Sequence, residues 1–158
     1  MTSAVADLQA CLETETRLTA EFLDILRDEA RVLEEGGAET ALAENTARKD
    51  TAADSLARAS EKRNALLGAL GYEHDAAGLQ AAAEDHPLLA ESRRKLLDAA
   101  EQARSLNAAN GRVIEIFLDH NQRTLDTLRR LAGAGDIYDA SGRTRPGNKG
   151  SGRNIKAG

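Results

Sequence analysis

A spacing constrains this chain more than any other feature. Along three long stretches apolar residues recur in alternating steps of three and four, the rhythm of a helix packed along one face. In the first, from about residue 3 to 35, Val5, Leu8, Leu12, Phe22, Leu26 and Leu33 set a seam that Glu15, Thr19 and Glu29 complete. Leu18, Leu23, Ile25 and Val32 lie beside it and widen it, which predicts more than one neighbouring helix. Gly36-Gly37 ends the stretch, because glycine readily takes the left-handed conformation of a helix C-cap.

A second helix is expected over 38–70, where Leu42, Lys49, Leu56, Arg63 and Leu70 stand at heptad spacing with Ala52, Ala59, Leu66 and Leu67 between them. Lys49 and Arg63 are expected to lay their apolar stems on the seam and reach solvent. The Gly-Gly joint leaves room only for a sharp reversal, so the two helices form an antiparallel hairpin. A short helix is expected over 76–84, closed at His86 by the ring of Pro87. The longest helix, 88–132, carries Leu89, Leu96, Ala100, Ala103, Asn107, Asn110, Ile114, Phe117, Asn121, Thr124, Leu128 and Leu131 in the same rhythm. At about 1.5 Å per residue it spans on the order of 65 Å. The expected fold is all-α: an antiparallel helical hairpin plus one long helix in a coiled-coil-like three-helix bundle. The helical body fills residues 1–133 and a flexible, Gly-rich basic tail fills 134–158.

Aromatic residues make up 3% of the chain (Phe22, Tyr72, Phe117 and Tyr138, with no Trp), so the core must be slender and built from Leu and Ala. Charge divides the chain. Residues 134–158 hold five cations (Arg143, Arg145, Lys149, Arg153 and Lys156) against Asp136 and Asp139, a net +3, which leaves −8 of the total −5 on the body. A lone cysteine, Cys11, cannot form an internal disulfide and suits a reducing compartment. No apolar run approaches the roughly 18 residues of a membrane span, and no basic start precedes an apolar stretch, so a cytoplasmic protein without membrane insertion is expected.

Catalytic chemistry is missing from the pattern. His74, His86 and His120 have no Cys or paired carboxylate at a metal spacing, and no Gly-rich phosphate loop follows a strand. No enzyme activity, metal or cofactor is expected. Five positive charges with one aromatic and no module to position them exclude a nucleic-acid binder as the main reading.

Two features leave alternatives open. Asn107, Asn110 and Asn121 occupy seam positions, where a buried amide either fixes register or marks a seam that waits for a partner helix. The run Val113-Ile114-Glu115-Ile116-Phe117-Leu118 sweeps apolar side chains over roughly 200°, twice the usual stripe. Either both hairpin helices cover it, or it forms a groove for an incoming amphipathic helix.

Three stretches together resemble the FlgN family of flagellar export chaperones. One is the array Leu42, Lys49, Leu56 and Arg63 followed by Asn64-Ala65-Leu66-Leu67 and the Leu70-Gly71 stop. Another is Asn107-Ala108-Ala109-Asn110-Gly111-Arg112-Val113-Ile114, similar to the family's Asn-x-x-Asn-Gly signature. The last is Ile137-Tyr138-Asp139-Ala140-Ser141-Gly142-Arg143-Thr144 with Arg153-Asn154-Ile155, similar to its tyrosine-containing tail. A very alanine-rich second helix and the polar ending Ile155-Lys156-Ala157-Gly158 depart from that pattern.

The resemblance implies a cytoplasmic chaperone, monomeric or weakly dimeric. It would bind the C-terminal helical parts of the hook-filament junction proteins (the first and third hook-associated proteins), prevent their premature assembly and deliver them to the type III export gate and its ATPase. It also implies a cargo surface at Asn107, Asn110, Ile114, Phe117, Leu118, Asn121, Leu125 and Leu128, and a gate-docking element at Ile137, Tyr138 and Gly142. The widened arc supports the cargo assignment independently, while the gate assignment rests on the resemblance. The heptads alone also fit a self-assembling coiled-coil scaffold or adaptor.

Overall fold

The computed structural model describes residues 3–135, 139–140 and 143–144. Its elements are helices α1 (Ala4–Glu34), α2 (Glu39–Ala69), α3 (Ala76–Asp85) and α4 (Ala90–Gly135), with a 3-10 turn at Pro87–Leu89 before α4. Two short strands, β1 (Asp139–Ala140) and β2 (Arg143–Thr144), pair antiparallel with Asp139 opposite Thr144. The protein is all-α in class, as its periodicity predicts. Packing divides it into two compact units, Met1–Arg112 and Val113–Gly158.

Local chemistry sets the helix ends. Ser3 caps α1 by accepting a hydrogen bond from the Ala6 amide at 3.1 Å, with Asp7 in the first turn to favour the helix dipole. At the other end Gly37 N donates to Val32 O and Gly36 N to Leu33 O, a Schellman closure that needs the positive φ of these glycines. The same closure ends α2, where Tyr72 N donates to Leu67 O and Gly71 N to Gly68 O, with Gly71 at φ 90°. Tyr72 then packs on the cluster that contains Leu67, the apolar contact that accompanies this motif. Asp75 caps α3 through the Gly78 amide at 2.8 Å.

Helix α4 departs from expectation at both ends. It begins at Ala90 because Pro87 starts a 3-10 turn of its own, and it runs through Gly133 to Gly135. A glycine costs a helix about 1 kcal/mol relative to alanine but does not stop it without a left-handed cap.

In the first unit, the N-terminal half of α1 meets the C-terminal half of α2, and the C-terminal half of α1 meets the N-terminal half of α2. Cys11 Sγ points at the Ala59 carbonyl, Glu15 meets Arg63, Asn45 meets Ile25 and Lys49 meets Glu29, so the hairpin is antiparallel. Up to Arg112, α4 follows α1 in parallel: Leu96 shares a cluster with Leu12, and Asn110 bonds to Leu26 and Glu29. Helix α3 makes this possible by crossing the open end of the hairpin, where Leu79, Ala82 and Ala83 cover Leu8, Leu12 and Leu67. Leu8, Leu12, Leu67 and Leu89 are fully buried there, each contributing roughly 2 kcal/mol. Helix α2 buries only Asn45 and Leu67, a consequence of its alanine content.

Candidate functional site

The seam of the first unit is polar at two levels, and α1 supplies both carboxylates. Glu29 is 2% exposed; Lys49 Nζ donates to its two oxygens at 3.1 and 3.2 Å, and Asn110 Nδ2 donates to Oε1 at 2.9 Å. Asn110 also donates to the Leu26 carbonyl at 2.9 Å, and Lys49 reaches Asn107 Oδ1 at 3.3 Å. One level lower, Arg63 pairs with Glu15, whose second oxygen has no hydrogen-bond partner among the described residues. Burial pushes the Glu15 carboxyl above its ordinary pKa, and the Arg63 guanidinium pulls the other way. Lys49 and Arg63 therefore turn inward onto seam carboxylates instead of reaching solvent, because two half-buried cations lie within reach of two acids that would otherwise be buried alone. Thr19 satisfies itself by donating to the Glu15 carbonyl at 2.8 Å.

This network uses up one residue expected on the cargo surface. Asn110 is 4% exposed and its amide N–H groups are engaged within the body, where they bind α4 to α1. Asn107, one turn earlier, is exposed while accepting from Lys49.

Beyond Arg112 the same helix has a different character. Ile114 and Phe117 are half-buried, while Leu118, Asn121, Leu125 and Leu128 are exposed, the leucines to 63%, 47% and 56%. Leu131, exposed to 63%, extends this surface past the expected residues, while Ile116, exposed to 67%, lies off the row among the charged positions. Leu131 was legible, since it continues the heptad; Ile116 lies off the seam and carried no such signal. On the other side of this stretch Arg123 pairs with Asp119 and Arg129 with Asp126, ion pairs between exposed groups that add little stability. Isolated exposed leucines are ordinary, but here Leu118, Leu125, Leu128 and Leu131 stand in a row at helical spacing. Ile137, Tyr138 and Gly142 lie outside the described residues.

Among the described residues no cluster of His, Cys, Asp and Glu could hold a metal, and no helix is long and apolar enough to cross a membrane. The family model described as FlgN protein matches residues 1–146. The chain belongs to the FlgN family. No curated protein and no solved structure matches it. This FlgN-family chain is a flagellar export chaperone, a component of type III protein export in flagellum biogenesis.

Proposed function

We propose that this FlgN-family chain works in the cytoplasm, gripping the C-terminal helical segments of the hook-filament junction proteins. It thereby keeps them from assembling early and hands them to the export gate and its ATPase. One observation carries the reading: the exposed row Leu118, Leu125, Leu128 and Leu131 on α4, in step with half-buried Ile114 and Phe117. An amphipathic client helix would lay its own apolar stripe along that row. Asn121 sits mid-row, where an amide favours clients that place a polar residue opposite it. The gate contact is assigned to Ile137, Tyr138 and Gly142 on family resemblance.

Co-elution of the purified chain with the C-terminal helices of a junction protein tests the reading. The double variant Leu125→Glu, Leu128→Glu should weaken that complex by at least about a hundredfold, since each buried carboxylate costs more than 1.4 kcal/mol. Its circular dichroism should match that of the parent. A parent chain that never co-elutes with such helices would sink the proposal.

A further inference from the structure

One cavity of the first unit is walled by charged side chains, two of which have hydrogen-bonding capacity left over. It measures about 190 Å³ and has Glu15 of α1, Arg63 of α2, Asp75 at the cap of α3 and Arg93 of α4 on its wall. Arg63 has nothing further to give, because its three nitrogens already donate to Glu15 Oε2, Ser60 Oγ and Asn64 Oδ1. Asp75 Oδ1 accepts from the Gly78 amide. What is left is one acceptor and one donor. Glu15 is 6% exposed and its Oε1 has no partner among the described residues; the buried Nε–H of Arg93 has none either. Buried polar atoms of this kind favour whatever completes their hydrogen bonds.

The wall decides the chemistry of the ligand. Two cations stand with two carboxylates, so the formal charge is balanced and a charged ligand would be buried without a counterpart. A neutral group that carries a donor beside an acceptor has no such cost. Much of the remaining wall is apolar: Leu79 and Leu96 are buried, and Leu97, exposed, leads to solvent. Water finds few partners on leucines, whereas a short carbon stem packs on them. An apolar cavity of about 150 Å³ holds a benzene ring, so the space here suffices for about six heavy atoms.

We propose that this cavity binds a primary carboxamide on a short aliphatic stem, the end group of a glutamine or asparagine side chain. Its N–H donates to Glu15 Oε1, its carbonyl accepts from Arg93 Nε–H, and its stem lies against Leu79, Leu96 and Leu97. The group arrives either on a free small molecule or as a side chain of a junction-protein helix, and the hydrogen bonds are the same in both cases. None of the outward row of α4 takes part, so the site stands apart from the client reading.

Propionamide is the probe. Propionate and butanone are controls of nearly the same size, the first charged and the second without a donor. Two-dimensional NMR of the isotope-labelled full chain should show propionamide shifting the Arg93 Nε–H signal and the Leu79 and Leu97 amides with millimolar affinity, as expected of so small a ligand. Both controls should bind at least about tenfold more weakly, the value of one hydrogen bond. Arg93→Met, which keeps an unbranched apolar stem and removes the donor, should weaken propionamide binding by the same factor while the chain stays folded. Equal shifts from the three probes, or full binding to Arg93→Met, would overturn the proposal. So would the absence of a saturable shift, the result of a cavity filled by water only. Adding junction-protein C-terminal helices reads the source: displacement of propionamide assigns the carboxamide to the client, and simultaneous binding assigns it to a free small molecule. Helices that fail to bind remove the client reading and leave the site to the free ligand.

Discussion

The two parts of α4, up to Arg112 and from Val113 onward, follow one rhythm and meet opposite fates. In the first, Leu96 and Ala103 are buried to 5% and 7% exposure and Asn110 to 4%; in the second, residues at equivalent spacing stand up to 63% exposed. Heptad periodicity therefore states that a face is meant to be covered and is silent on what covers it. Asparagine sharpens the contrast. Asn110 spends its amide on Leu26 and Glu29, whereas Asn121 is exposed on an apolar row, so one residue type is bonded inside the body in one place and faces outward in the other.

The largest effect that would test this contrast is on folding stability. Lys49→Ala leaves Glu29, 2% exposed, with Asn110 as its remaining side-chain donor and should cost about 3 kcal/mol in urea denaturation. Leu128→Ala, in the outward row, should change stability by less than about 0.5 kcal/mol. Equal losses would break the contrast between the two parts. Next in size, Gly78→Ala should destabilise the first unit by about 2 kcal/mol, because a Cβ there would clash with the Glu73 carbonyl and α3 would have to shift. Gly111→Ala should act in the opposite sense. A Cβ at Gly111 meets nothing within 4 Å, so the substitution should stabilise α4 by about 1 kcal/mol, read as a higher denaturation midpoint. A loss there would show that the junction of the two parts needs its glycine for a reason other than packing.

The smallest effect concerns pH. Burial raises the Glu15 carboxyl pKa in the folded chain, so the folded state takes up this proton at higher pH than the unfolded state does. Its charged form weighs against folding at neutral pH, and that penalty fades as pH falls through the raised pKa. Glu15→Gln abolishes the titration. The stability of the variant relative to the parent should be highest near pH 7 and decline on acidification, measured by thermal unfolding across that range. A flat difference would mean that Glu15 is better solvated than its position implies.

Much of this arrangement was legible in the residues. Gly36-Gly37 and Gly71 marked helix ends because they supply the positive φ of a Schellman closure, and the heptads gave helix number and pairing. The seam acids Glu15 and Glu29 and the seam cations Lys49 and Arg63 were visible one by one, but their mutual pairing was not. It depends on the antiparallel register of α1 and α2, which brings residues 48 and 20 positions apart into contact. For the same reason the role of Asn110 could not be separated from that of Asn121 by spacing.

By itself, the sequence determined an all-α chain with a slender Leu and Ala core, because periodicity, glycine stops and the scarcity of aromatics act locally. It also carries enough of the FlgN pattern for family membership across residues 1–146. Only the tertiary structure decided which seam residues are spent inside the body and which face outward. That choice turns on which helices lie side by side and in what register, and groups 81 or 84 positions apart, as the Asn110 amide is from the Glu29 carboxylate and the Leu26 carbonyl, find one another only after folding.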